Sequence, residues 1–174
     1  MVSAPARPVV VLVGPPGSGK TTSGAALAAR LGVPLHDTDA AIVAATGRTI
    51  SDIFLEDGEP AFRALERDEV ARALRAHSGV VALGGGAVMD PATEAALVGH
   101  RVVFLDVGIA DAARRVGFDR SRPLLAVNPR ASWVAMMAQR RPTYERVATW
   151  RVDTAGRTPQ DVAAEIAALL ERAT

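Results

Sequence analysis

Apolar runs of strand length recur along the chain, and between them apolar positions fall at helical spacing. Val9–Val13 is β-branched and apolar and stops at Gly14, the pattern of a strand buried on both faces of a parallel sheet. Pro34–Asp37, Val80–Leu83 and Val102–Leu105 are further strands, each ending at a glycine or an acid, and Arg151–Val152 makes a short fifth. The spacing predicts helices over Lys20–Leu31, with Leu27 and Leu31 on one face, over Thr38–Thr46, and over Pro60–His77, with Phe62, Leu65, Val70 and Leu74 inward. Two more are predicted over Ala110–Val116 and Ala131–Ala148, and a last one opens at Thr158-Pro159-Gln160-Asp161, threonine as cap and proline in the first turn. Strands and helices alternating at this spacing form βαβ units with right-handed crossovers. The expected fold is therefore a three-layer α/β/α sandwich around a central five-stranded parallel sheet. Between Gly117 and Arg130 the periodicity fails, and Pro123, Asn128 and Pro129 mark an irregular stretch expected to be a mobile lid over about residues 117–130.

Composition narrows the class. At 174 residues, without repeats or linkers, residues 1–174 are expected to form one domain with its core in 9–170. A chain that is 49% hydrophobic and 22% charged, with net charge +1, is neither disordered nor a polycationic nucleic-acid coat. The lack of cysteine excludes a disulfide scaffold, a thiolate zinc site and a cysteine nucleophile. The longest apolar stretches are strand-sized, so no membrane partner is expected, and a cytoplasmic monomer is. Nineteen of the twenty basic residues are arginine; the only lysine is Lys20. Where any surface cation could be arginine, a lone compact ammonium marks a chemical task.

Gly14-Pro15-Pro16-Gly17-Ser18-Gly19-Lys20-Thr21 supplies that task, because it fits G-x-x-x-x-G-K-[ST] with a buried strand before it and a helix after it. Glycines let backbone N–H groups converge on phosphate, the helix N-terminus adds positive potential, Lys20 reaches the outer phosphates, and the Thr21 hydroxyl can coordinate Mg²⁺. Gly17, Ser18, Gly19, Lys20, Thr21 and Thr22 are the candidate ATP contacts. A GTPase switch is excluded, since its guanine-reading N-K-x-D needs a second lysine; Asp153-Thr154-Ala155-Gly156 imitates D-x-x-G by accident. The third strand runs into Gly84-Gly85-Gly86 without an acid, so acids must come from Asp37-Thr38-Asp39 at the end of the second, on the sheet edge where ligands bind. One carboxylate there can face Mg²⁺ through water and the other an acceptor hydroxyl; capping of the next helix by Thr38 or Asp39 is the alternative. Arg63 and Glu66 stand at i, i+3, so the glutamate can hold the guanidinium, while Phe54 and Phe62 nearby are better read as core. Residues 114–151 hold nine arginines against two acids, a local excess of seven that leaves the remainder near −6. Such charge on a lid and its flanks suits a triphosphate, and nucleic acid is disfavoured by the near-zero total and the lack of interleaved aromatics. Most of these arginines are nonetheless expected to be solvated.

Taken together these residues resemble the shikimate kinase family, nucleoside-monophosphate-kinase-like P-loop enzymes, from about Val9 to Leu170. The likeness rests on the P-loop, Asp37-Thr38-Asp39, the stretch from Gly47 to Phe54 leading to Gly58-Glu59 and Phe62-Arg63, and the triple glycine. Arg122-Pro123-Leu124-Leu125 and Arg140-Arg141-Pro142-Thr143-Tyr144 complete it. The resemblance implies ATP-dependent phosphorylation of the shikimate 3-hydroxyl, with Mg²⁺, and a shikimate-binding segment over about 38–66. It implies Asp39, Arg63, Gly84, Gly85, Gly86 and Arg140 as shikimate contacts, selecting Arg140 over Arg141 through R-x-P-x-Y. It also implies the lid residue Arg122, with Arg115 and Arg157, as ATP contacts, and Lys20, Asp39 and Arg122 as the catalytic set. Thr21 and, through water, Asp37 would hold the metal. A gluconate kinase or a non-catalytic nucleotide-binding homologue is the alternative; the D-x-D, F-R and triple-glycine set argues against the first, and the presence of Lys20, Asp39 and the arginines against the second.

Overall fold

The computed structural model describes residues 6–117 and 128–174. Among them five strands form one parallel sheet in the order β2-β3-β1-β4-β5: β1 Val10–Val13, β2 Leu35–Asp37, β3 Val80–Ala82, β4 Val102–Asp106 and β5 Trp150–Asp153. The three central strands are wholly buried, as their uninterrupted apolar runs require. Alternation along β1 divides the core. Val10 and Leu12 pack with Leu27 of α1 (Lys20–Leu31) and with Val162, Ile166 and Leu170 of α8 (Pro159–Arg172). Val11 and Val13 pack on the other face with Val70 and Leu74 of α4 (Glu59–Ala76), Ala112 of α6 (Ile109–Val116), and Trp133, Met137 and Tyr144 of α7 (Pro129–Val147). The result is the expected three-layer sandwich. Thr158 caps α8 as expected, its Oγ1 accepting from Asp161 N at 3.1 Å.

The departures are local. Two helices lie where none was predicted: α3, Ile50–Asp57, and α5, Pro91–Ala96, which follows a 3₁₀ turn at Ala87–Met89. α5 is one and a half turns long, too short for periodicity to show; its signal is the Asp90 cap, accepting from Ala92 N, with Pro91 behind it. α3 joins α2 (Thr38–Thr46) and α4 in a small satellite core of Ile42, Ile53 and Phe62 beyond the β2 edge. Leu65, expected inward, is 37% exposed, because the buried positions of α4 run through Phe62, Glu66 and Val70 instead. In the candidate lid, Gly117 closes α6 and Asn128 caps α7, while residues 118–127, Arg122 among them, lie outside the described residues.

Candidate active site

Beyond β1 the chain turns through residues 14–19 into α1. Gly17 has φ +83°, and a Cβ on it would stand 2.9 Å from the Cα of Ala112, so conformation and close approach to α6 both demand glycine there. Four of the loop's carbonyls are held by side chains. Lys20 Nζ donates to Gly14 O at 2.7 Å and to Pro15 O at 3.1 Å, Trp133 Nε1 to Pro16 O at 3.0 Å, and Arg115 Nη1 to Gly17 O at 3.1 Å. With these carbonyls engaged, Ser18 N donating to Pro15 O at 3.2 Å and the α1 N-terminus following, the turn can offer its remaining N–H groups to phosphate. Ser18 is fully buried within it, and Thr22 Oγ1 donates to Gly19 O at 3.3 Å.

Asp37-Thr38-Asp39 divides its two acids between two neighbours. Asp37 caps α2, with Oδ1 accepting from Ala40 N at 3.0 Å, and its Oδ2 accepts from Thr21 Oγ1 at 2.6 Å. The cap is therefore Asp37, not the Thr38 or Asp39 of the alternative reading, and one carboxylate both starts the helix and meets the P-loop threonine. Thr38, fully buried, donates to Ala82 O at 3.4 Å and accepts from Gly84 N at 3.2 Å, fixing the start of α2 to the glycine turn. Asp39 lies on that turn: a Cβ at Gly84 would be 2.6 Å from Asp39 Oδ1 and 2.8 Å from Glu66 Oε2.

Across the glycine turn stand the two expected arginines. Arg63 donates to Glu66 at 2.6 Å and to Glu59 at 3.3 Å, and its guanidinium lies 5.3 Å from the centroid of the Phe62 ring and 5.9 Å from that of Phe54. The phenylalanines are thus both core and a platform for the cation. Glu66 is only 2% exposed, so the pair is no surface ion pair. Burial pushes the Glu66 carboxyl above its ordinary range, opposed by the charges of Arg63 and Arg140. Arg140 is buried with its Nη1 toward Gly85, and the Tyr144 hydroxyl donates to Gly85 O. Arg63 and Arg140 line one cavity of about 390 Å³ with Glu59, Gly86, Met89 and Gln139.

Arg141 points elsewhere. It grips Asp106, at the end of β4, through two 2.9 Å bonds, and Arg151 joins at 2.7 Å. Burial alone would raise the Asp106 carboxyl; Arg141, Arg151 and the Val107 N–H outweigh it and hold it below the ordinary range. Arg146 pairs with Glu94 at 2.5 Å, and Arg114 with Asp111. The arginine-rich stretch is therefore not one phosphate-facing field: four of its members are committed to three acids, Asp106, Glu94 and Asp111, all outside the stretch. Arg115 also donates to Thr154 Oγ1 at 2.9 Å, and Arg157 to Asp153 O at 2.9 Å and Glu165 at 2.5 Å, so both stand by the C-terminal end of β5. Sequence reasoning gave no task to Tyr144, Asp106 or Trp133 and saw Thr38 only as a possible cap; only tertiary contact gives these residues their tasks.

An N–H-lined phosphate cradle at the end of β1, facing a small cationic cavity across a glycine turn, defines a P-loop phosphotransferase with a small-molecule acceptor. The family model "Shikimate kinase" matches residues 16–171. The chain belongs to the shikimate kinase family. It is 59% identical over 161 residues to the shikimate kinase of Thermobifida fusca, covering 92% of this chain and 94% of the relative, and 60% identical over 163 residues to that of Salinispora arenicola, covering 94% and 98%. Among solved structures, shikimate kinase from Acinetobacter baumannii in complex with shikimate superposes with TM-score 0.92 at 33% identity, covering 97% of this chain and 95% of that one.

Proposed function

We propose that this member of the family transfers the γ-phosphoryl group of ATP to the 3-hydroxyl of shikimate, giving ADP and shikimate 3-phosphate. The observation that carries the reading is the cluster at Gly84–Gly86, where Asp39, Glu66, Arg63 and Arg140 meet around one turn within reach of the P-loop. Shikimate offers one carboxylate and three ring hydroxyls. Arg63, oriented by Glu66 and Glu59, and Arg140 grip the carboxylate; Asp39 accepts from hydroxyl; the glycine N–H groups fill the remaining edge. Asp39 orients the 3-hydroxyl and takes its proton as the oxygen bonds to the γ-phosphorus and the bond to the ADP oxygen breaks.

On the donor side the N–H groups of residues 17–22 cradle the phosphates, and Lys20 exchanges its carbonyl partners for their outer oxygens. Arg122 covers the same charge from the lid, and Arg115 and Arg157 flank the adenine; these three roles rest on the family pattern. Thr21 Oγ1 and Asp37 Oδ2, 2.6 Å apart, are two hard oxygens of the kind Mg²⁺ takes, and a phosphate-borne Mg²⁺ needs few protein ligands. Thr21 would hold it directly and Asp37 through water. Bound there, the ion would supply neutralisation of phosphate charge. We further propose a single cytoplasmic domain acting as a monomer; no described helix is long and apolar enough to cross a membrane. The test is ADP release from MgATP with shikimate, gluconate, AMP or no acceptor in parallel. Release with shikimate alone supports the reading; release with another acceptor overturns the acceptor site, and nucleotide binding without release overturns catalysis.

A further inference from the structure

One face of α7 meets both halves of the site. Trp133, Met137, Arg140 and Tyr144 follow the i, i+4, i+7, i+11 spacing of a single buried stripe. Trp133 reaches the P-loop, Arg140 the acceptor cavity and Tyr144 the carbonyl of the glycine turn. Packing accounts for Met137. It does not account for the indole N–H of Trp133, which is aimed at Pro16 O at 3.0 Å although the side chain is only 3% exposed.

The peptide joining Pro16 to Gly17 is trans, since no described peptide bond is cis. In a trans peptide the carbonyl and the next N–H point to opposite edges of one plane. Holding the Pro16 carbonyl outward therefore turns the Gly17 N–H inward. Gly17 is one of three loop residues with positive φ, with Gly14 and Gly19, and the Pro16 carbonyl is the group through which a side chain can fix that plane while leaving the Gly17 N–H open. On the far side Arg115 holds the Gly17 carbonyl, so the two peptides that flank Gly17 are fixed by one side chain from α6 and one from α7.

We infer that Trp133 is a positioning residue for nucleotide: through the Pro16 carbonyl it aims the Gly17 N–H at the terminal phosphates. The inference rests on the P-loop reading above and adds a residue that acts on the donor side only. Trp133→Phe keeps an aromatic ring in the core and deletes the N–H. MgADP affinity should fall about fivefold or more, the cost of one lost hydrogen bond with its carbonyl left buried, and KM for ATP should rise in step. KM for shikimate at saturating ATP should stay within about twofold, because Arg63 and Glu66 lie on α4 and are untouched. Unchanged MgADP affinity overturns the inference, and so does equal weakening of both substrates, which means general loosening of α7. A lower melting temperature with both constants unchanged overturns it too, leaving Trp133 a packing residue.

If Trp133→Phe does not fold, Trp150→Phe leaves Trp133 as the one indole, and its N–H resonance can be followed directly. It should exchange slowly with solvent and shift on titration with MgADP. Rapid exchange or no response to MgADP overturns the proposal. Both readouts are binding measurements, so they stand even if shikimate proves not to be the acceptor; that failure would appear separately, as missing ADP release by the unmodified protein.

Discussion

Gly84→Ala probes the geometry of the acceptor side with a single methyl group. Gly84 has no positive φ, so alanine is conformationally allowed and the whole effect comes from contact. The new Cβ would lie 2.6 Å from Asp39 Oδ1 and 2.8 Å from Glu66 Oε2, against an ordinary carbon–oxygen contact of about 3.4 Å, so the Asp39 carboxylate must retreat by about 0.8 Å. Glu66 cannot yield freely, because it is only 2% exposed and Arg63 holds it at 2.6 Å. Overpacking of this kind costs about 1–3 kcal/mol of stability. Catalytic geometry is less tolerant: a displacement near 1 Å lowers turnover by roughly 10²-fold. The assay is steady-state ADP release at saturating shikimate and ATP, with MgADP titration and thermal unfolding on the same preparation. The expected result is a kcat lower by roughly 10²-fold with MgADP affinity unchanged, since the donor half is untouched. A variant that folds and turns over within about twofold of the unmodified protein would show that the Asp39–Gly84–Glu66 packing does not set the reaction geometry.

Lys20→Ala should lower kcat by about 10²- to 10³-fold, as removal of one preorganised charge donor does, with a small change in melting temperature from the lost carbonyl contacts; turnover near the unmodified level would refute its role. Arg140→Ala should raise the shikimate KM roughly tenfold to hundredfold, whereas Arg141→Ala should leave it unchanged and lower stability; the reverse outcome would undo the division between the neighbours. Asp106→Asn should cost about 1–3 kcal/mol at neutral pH, less than a fully buried pair, because the Arg141 and Arg151 side chains are 36% and 59% exposed. The Asp106 carboxyl is held below its ordinary range when folded, so its contribution is present above the unfolded value and is lost as pH falls through the folded one. Denaturant unfolding of both forms should converge in acid; a gap independent of pH would contradict the assignment.

The sheet was legible because its three central strands are buried on both faces and so read as unbroken apolar runs, and because Gly14, Asp37 and Gly84 end three of the strands where ligands bind. The phosphate site was legible because backbone chemistry there demands specific residues at fixed spacing. Arg63 and Arg140 were found through the family pattern, and charge alone could not separate Arg140 from Arg141. What separates them is rotation by one residue on α7, toward Gly85 or toward Asp106, and Asp106 is distant in sequence. Leu65 was misjudged because Glu66 takes the inward position, a choice that depends on Arg63 and Arg140 being there to receive its charge. Trp133 could not be read at all in this respect: nothing in spacing reveals a donor aimed at a carbonyl 117 residues away.

The central claim is transfer of the terminal phosphoryl group of ATP to one hydroxyl of shikimate. Its most direct test is to incubate the unmodified protein with MgATP and shikimate and to follow the phosphorus resonances and product mass. The account expects one new phosphomonoester, coupled to the proton on C3, appearing in step with ADP. Inorganic phosphate in its place, or a phosphoester at another ring position, would contradict it.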